Sequence, residues 1–285
     1  MSGGRDAVLH LELAYGHGTL PVRLPASRLQ AVIDTGAYAQ CREPLAAAEP
    51  ADEAALLREA LVHPIGAPPL RQVARAGQTV AIVTSDLTRP CPSERLLPPV
   101  LDELAAAGVA DSDITIVLAL GLHRPMTEAE IEAALGSEVV RRVRALNHDP
   151  DDTVRLGVTS FGTPVELYRP VVEAGLRVCL GNLELHYFAG YSGGAKAILP
   201  GCASRAAVNA NHAMMVRPEA SAGRLPDAGG NPVRADLEEG AALAGAAWIL
   251  NVVVDGRHRI VGAVAGDAIA AHRVGCQMVA ERGIV

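Results

Sequence analysis

The sequence predicts an α/β fold: a mostly parallel sheet with helices on both faces, Rossmann-like, followed by a C-terminal β-hairpin and helix. Three observations carry this expectation. Short apolar runs, "TVAIVTSD" (79–86), "ITIVLAL" (114–120) and "LRVCLGN" (176–182), recur along the chain. Such runs, lacking the polar alternation of a one-sided sheet, mark strands buried on both faces. Amphipathic stretches follow the first two, which is the alternation of a parallel sheet and its crossover helices. Finally, "AAWILNVVVDGRHRIVGAVAGD" reads as a hairpin turning near Asp255 and Gly256, and "AIAAHRVGCQMVAE" as a closing helix.

Taken in order, "AVLHLEL" and "TLPVRLP" read as short strands and "ADEAALLREALV" as a helix closed by Pro64. "IGAPPL" reads as a linker. A helix is expected from Ser93 through "ERLLPPVLDELAAAGV", kinked or delayed by Pro98 and Pro99. In "TEAEIEAALG", Thr127 and Glu130 have capping-box spacing and Gly136 supplies the stop. The expected organisation is one domain over 1–285, with an N-terminal β/α segment at about 1–64 and a core at about 79–285.

Composition bounds the function. At 285 residues and 49% hydrophobic, the chain can fill a large core. A net charge of -7, 3% aromatics and no basic run exclude a nucleic-acid partner, which calls for a positive patch and stacking rings. A small molecule is the expected partner. Cys41, Cys91, Cys179, Cys202 and Cys276 show no zinc-finger spacing, and an odd number suits small core residues in a reducing compartment. With no apolar stretch of signal-peptide or membrane-spanning length, the expectation is a cytoplasmic protein with no membrane contact.

The polar residues sit where chemistry is expected. "SDLTRP", "GLHRP" and "GNLELH" each follow a predicted strand, and loops at the carboxyl ends of parallel strands form the ligand crevice. This draws Asp86, Arg89, His123 and His186 towards one site. Arg89 offers a fork of donors for a carboxylate or phosphate, or alternatively a salt bridge with Asp86. His123 and His186 suit proton removal on one face of a substrate and return on the other. His212, in "NANHAMM", is a candidate metal ligand. His10, His17, His63, His148, His258 and His272 are assigned surface or capping roles.

Just downstream, "GYSGGAK" contains Lys196, the only lysine among 25 Lys and Arg residues. An amine can lose its proton on burial and become a nucleophile or covalent tether, whereas a guanidinium cannot. The loop fits G-x-S-x-G, which would make Ser192 a hydrolase nucleophile with Asp255 and His272 as partners. Pro200 and Gly201, however, interrupt the long helix that such an elbow requires. A Walker A reading fails at Ala195 and Ala197. What survives is a glycine loop at which backbone N–H groups can approach an anion beside an amine.

Together, "SDLTRP", "GLHRP", "NHDP", "GNLELHYFAGYSGGAKAILPG" and "NANHAMM" resemble, in order from about Val80 to His212, the N-terminal domain of the nickel-dependent lactate racemase family. A weaker continuation runs through "AGDAIAAHRVG". The resemblance implies a racemase or epimerase of a 2-hydroxy acid, lactate or a related acid, acting by reversible hydride transfer. Its cofactor is a nickel pincer nucleotide (nickel pyridinium-3,5-bisthiocarboxylic acid mononucleotide), tethered by a thioamide that falls on Lys196. Its nickel-ligating histidine falls on His212, its acid/base pair on His123 and His186, and its carboxylate-binding arginine on Arg89. Asp86, Thr88, Gly193 and Gly194 match positions around the cofactor.

Cofactor-synthesis proteins are implied as partners, and a homo-oligomer is compatible with the pattern. Family members continue into a second domain that supplies another lysine, whereas this chain stops at Val285, about where that domain should begin. A cofactor-binding or carrier module without turnover therefore stands beside the enzyme reading, and the serine hydrolase behind both.

Overall fold

The computed structural model describes residues 8–15, 18–25, 52–228, 230–245 and 247–283. Met1–Pro50 and Ala51–Val285 form two units. In the first, strands β1 (Val8–Tyr15) and β2 (Gly18–Pro25) pair antiparallel from Val8↔Pro25 to Tyr15↔Gly18.

The second unit starts with helix α1 (Glu53–Val62), whose first turn is capped by Asp52 accepting from the Ala55 N–H at 3.0 Å. It continues through α2 (Leu70–Val73), β3 (Val80–Ser85), α3 (Ser93–Ala106), β4 (Ile114–Ala119), α4 (Glu128–Leu135), α5 (Ser137–Arg142) and β5 (Arg144–Asn147). An antiparallel pair follows, β6 (Thr153–Val158) and β7 (Pro164–Tyr168), then α6 (Arg169–Glu173) and β8 (Leu176–Asn182). A two-residue pair, β9 (Leu185–His186) and β10 (Gly190–Tyr191), leads to α7 (Arg205–Ala213) and α8 (Pro232–Leu243). The hairpin β11 (Ala247–Val254) and β12 (Ile260–Asp267) and helix α9 (Ala270–Gly283) close the described chain.

Six strands form the main sheet, in the order β12-β11-β8-β3-β4-β5. All neighbours are parallel except the β11–β12 hairpin. From β3 the chain steps outward through β4 and β5, then returns to the opposite side of β3 with β8 and β11. The direction of winding therefore reverses between β3 and β8, and open α/β sheets bind ligands at such switch points.

Alternate residues of each strand feed two cores. Ile82, Ile116, Val178 and Leu250 pack with Leu61, Leu97, Leu104 and Leu135 of α1, α3 and α4. Val83, Val117, Cys179 and Ile249 pack with Val208, Leu237 and Cys276 of α7, α8 and α9. Burial of both faces explains why these strands read as unbroken apolar runs.

Two expectations change. Helix α3 runs through Pro98 and Pro99 without delay. Leu96, Leu97, Val100, Leu101 and Leu104 are fully buried, and both prolines lie off that face. The missing N–H groups thus cost hydrogen bonds only to the Glu94 and Arg95 carbonyls, while apolar burial holds the helix. The "IGAPPL" stretch is no loose linker. Ile65 pairs with the edge of β12, donating to the Ala265 carbonyl at 2.7 Å and accepting from the Asp267 N–H at 2.9 Å. Pro68 accepts from the Trp248 indole at 3.2 Å.

The capping box forms as expected, with Glu130 N–H donating to Thr127 Oγ1 at 3.3 Å and Thr127 N–H to Glu130 Oε2 at 2.8 Å. Thr127→Ala should therefore cost about 1 kcal/mol, read as a lower urea midpoint at unchanged slope.

Candidate active site

The loops after β3, β4 and β8 converge on a cavity of about 520 Å³ at the switch point. Asp86, Arg89, His123, His186, Gly193, Gly194, Lys196 and His212 all line it. Thr88 does not; its N–H and Oγ1 donate to Asp86 Oδ1 at 3.1 and 2.7 Å.

Asp86 serves a histidine rather than an arginine. Its buried carboxylate accepts from His123 Nδ1 at 2.5 Å, leaving the Nε2 lone pair of a neutral ring free. The Arg89 guanidinium makes no hydrogen bond or ion pair among the described residues, so the alternative salt bridge with Asp86 is not made. Only their backbones meet, Arg89 N–H to Asp86 carbonyl at 3.2 Å.

His186 is arranged in the opposite sense. The Ala189 N–H donates to its Nδ1 at 3.3 Å, so a neutral ring carries its proton on Nε2. The ring is buried, stacked on Tyr187 at 5.0 Å and edge-on to Phe188 at 4.6 Å. Burial, then the charges of Lys196, Arg89 and Arg234, hold its pKa down at about 3. His212, on α7, packs edge-on against Phe188 at 5.1 Å, and burial lowers its pKa too. Its Nδ1 finds no partner within hydrogen-bond distance, although the nearby Val208 carbonyl favours the charged ring.

Lys196 sits on a single turn of 3-10 helix, Gly194–Ala197. It is half-buried, and its amine makes no hydrogen bond or ion pair among the described residues. Desolvation, followed by the positive charges of Arg89 and Arg234, pushes it down to about 7; Glu184 and Asp86 oppose this weakly.

The glycine loop packs more than it cradles. Gly193 (φ 73°) and Gly194 (φ 60°) occupy the left-handed region, and a Cβ on either would come within 2.7 Å of a neighbour, Asn251 Oδ1 for Gly193 and the His272 ring for Gly194. The Gly194 N–H, expected to face an anion, donates instead to Asn251 Oδ1 at 2.7 Å.

Several residues that shape the site escaped the sequence reading. Arg234 on α8 is wholly buried and donates to the carbonyls of Ala189 (3.3 Å), Gly193 (3.3 Å) and Tyr191. Its pKa, reduced by burial to about 10, still leaves it charged at neutral pH. Two residues further along the same helix is Asp236, also wholly buried, which accepts from Thr159, from Thr163 at 2.8 Å and from Asn211, the neighbour of His212, at 2.7 Å. Asn182, 3% exposed, lines the cavity with no partner for its Nδ2. The readable signal was Asn231-Pro232, an N-cap followed by proline at the first helical position. That pattern starts a helix but does not say what its polar side chains reach.

The hydrolase triad does not assemble. Ser192 Oγ donates to the Asn182 carbonyl at 2.8 Å and accepts from the Glu184 N–H at 2.9 Å. His272 meets the Ser192 carbonyl, not its hydroxyl, at 2.8 Å, and Asp255 binds Arg259 at the hairpin turn. His272 and His148 are buried, contrary to the surface roles expected for them, whereas His10, His63 and His258 are exposed. Cys179, Cys202 and Cys276 are buried free thiols and Cys91 is partly buried; His17 and Cys41 lie outside the described residues.

Residues 15–223 match the family model for the lactate racemase N-terminal domain. The chain belongs to the lactate racemase N-terminal domain family. It is 36% identical over 279 residues to a lactate racemase of Thermoanaerobacterium thermosaccharolyticum, covering 95% of this chain and 62% of that protein. It is 36% identical over 230 residues to a lactate racemase of Lactiplantibacillus plantarum, covering 79% of this chain and 53% of that protein. The apoprotein structure of the former superposes with a TM-score of 0.80 at 35% identity, over 96% of this chain and 62% of the other. A Thermotoga maritima protein shares the fold, with a TM-score of 0.65 at 20% identity over 81% of this chain and 60% of its own. The chain thus spans about three fifths of the relatives' length. No helix among the described residues is long and apolar enough to cross a membrane.

The low histidine pKa values make stability depend on pH with a definite sign. His186 and His148 bind a proton near pH 3 and 4 when folded but near 6.5 when unfolded, so the unfolded state takes up more protons below 6.5. Tm should therefore rise as pH is raised from about 4.5 to 6.5, above the main carboxylate range. A thermal melt series that is flat across this window would contradict the buried neutral rings.

Proposed function

We propose that the chain is the cofactor-bearing part of a lactate racemase-type isomerase that inverts the carbinol carbon of a 2-hydroxy acid, lactate or a related acid. One observation carries the reading. A single cavity gathers an unpartnered amine (Lys196), an unpartnered guanidinium (Arg89) and two imidazoles held in opposite proton arrangements (His123 and His186). Identity to two lactate racemases supports the reaction class.

The residues fit a nickel pincer nucleotide. Among the described residues, no group of three or more His, Cys, Asp or Glu side chains could hold a metal ion. The chain therefore offers one imidazole, His212, and a pincer brings its own carbon and sulfur donors for the remaining positions. Lys196, with its pKa near 7, has the neutral amine needed for a covalent tether. The unpartnered Asn182 Nδ2 leaves a buried donor for a polar atom of the nucleotide. Asp86, Gly193 and Gly194 line the same cavity, and Thr88 acts on it through its two hydrogen bonds to Asp86 Oδ1. When bound, the group supplies a hydride acceptor for the substrate's C2.

The chain's own residues then divide the remaining work. Arg89 anchors the substrate carboxylate with its free fork of donors. His123 takes the hydroxyl proton on Nε2, and Asp86, held against Nδ1, stabilises the imidazolium that forms. His186, from the loop on the other side of β3, presents Nε2–H to the substrate oxygen. Its burial among cations disfavours a second proton and keeps that ring neutral. At the planar keto stage hydride can return to either face, and the imidazolium of His123 gives its proton back to the substrate oxygen while His186 Nε2–H donates a hydrogen bond to it.

The test is production in cells that make the cofactor, followed by peptide mass mapping and nickel analysis of the same sample. The expected result is a mass increment on Lys196 with stoichiometric nickel, both lost in Lys196→Arg. An unmodified Lys196 without nickel would contradict the reading, and a retained adduct without turnover of any 2-hydroxy acid would mark a carrier instead.

A further inference from the structure

We propose that Lys196, when it carries no cofactor, captures 2-oxo acids as an imine, with Arg89 holding the acid's carboxylate. The inference borrows from the proposed function the carboxylate role of Arg89, but it needs neither nickel nor the nucleotide. Both side chains line one cavity large enough for a small organic acid, and neither has a hydrogen-bond or ion-pair partner among the described residues.

An ordinary surface lysine is almost wholly protonated at neutral pH and a poor nucleophile. Lys196 is different because it is desolvated and set beside cations, the arrangement that gives imine-forming lysines their reactivity. Arg89 faces it from the loop after β3 and Arg234 from α8, while Glu184 and Asp86 supply weaker opposing charge; His186 and His212 share the cavity. The balance leaves a substantial share of neutral amine near pH 7.

A 2-oxo acid presents what this pair can use: a carboxylate for the guanidinium and, one carbon away, an electrophilic carbonyl. The Nζ lone pair attacks C2 and the carbonyl π electrons move to oxygen. A proton passes from nitrogen to that oxygen, giving a carbinolamine. Protonation of its hydroxyl, departure of water and loss of the remaining N–H proton leave the C=N bond, so amine and oxo acid become imine and water with no change in oxidation state. Neutral ketones lack the anchor and should react no better than they do in free solution. Oxo acids would thus shield Lys196 from any other electrophile competing for the same amine.

The experiment uses the full chain made without cofactor, incubated with pyruvate or glyoxylate and cyanoborohydride, whose hydride reduces an imine to a stable secondary amine. Lys196 is the only lysine, so one peptide reports it, and the α-amine serves as an internal reference. With pyruvate, Lys196 should be labelled in clear preference to the α-amine; with acetone the preference should vanish. Arg89→Gln should reduce the pyruvate labelling by about tenfold, the worth of a charge-assisted carboxylate contact. Labelling of Lys196 no faster than the α-amine, or equal with acetone and in Arg89→Gln, would overturn the inference. Nickel content is measured on separately loaded protein. An adduct without nickel loading would sink the cofactor reading alone, and nickel loading without an adduct would sink this inference alone.

Discussion

The buried guanidinium of Arg234 is the constraint on which the site rests. It sits at zero exposure within α8 and binds the carbonyls of Ala189, Tyr191 and Gly193, which bracket the turn leading to Lys196. Removing a cation from water is expensive, and only several good acceptors make it tolerable. The loop is therefore held at three points by a guanidinium whose charge is also offset by Glu238, with Arg234 Nε 3.9 Å from Glu238 Oε1. The same charge acts through space, lowering the pKa of both Lys196 and His186. One residue thus sets both the shape of the glycine loop and the protonation of the groups around it.

Helix α8 extends this control to the other half of the cavity. Asn231 caps the helix and donates to the Phe188 carbonyl at 3.0 Å, while Asp236 receives Asn211 beside His212. The buried carboxylate of Asp236 and the Asn231 amide specify one arrangement because their partners fit no other and no water replaces them, while Asn211 Oδ1 is left without a partner. Across the sheet, Asp86 does for His123 what the Ala189 amide does for His186, with the opposite proton outcome. Arg89 lines the cavity and Arg234 lies close enough to act on Lys196 and His186, so cationic charge beside the cavity suits phosphate and carboxylate ligands in a chain whose net charge is negative.

Much of this was legible in the sequence. Strands buried on both faces, capped helices and the terminal hairpin declare themselves through apolar runs, Thr127 with Glu130, and Asp255 with Gly256. The convergence of Asp86, Arg89, His123 and His186 followed from their places after predicted strands, and the isolation of Lys196 from the absence of any other lysine. Short β5 and the β6–β7 pair did not stand out, being brief and only partly buried. Arg234, Asn251 and Asp236 were invisible for another reason. Their partners lie far away in the chain, and a polar residue on an amphipathic helix, or Asn251 inside the apolar run of β11, looks the same whatever its side chain reaches. His148 and His272 went astray likewise, since nothing local distinguishes a buried imidazole from an exposed one.

The central claim is that the fold keeps the amine of Lys196 substantially neutral near physiological pH. With a single lysine in the chain, lysine-selective 13C labelling gives one side-chain Cε signal, whose shift can be followed through a pH titration of cofactor-free protein. The account predicts a midpoint near 7. A midpoint at the ordinary lysine value of about 10.4 would contradict it.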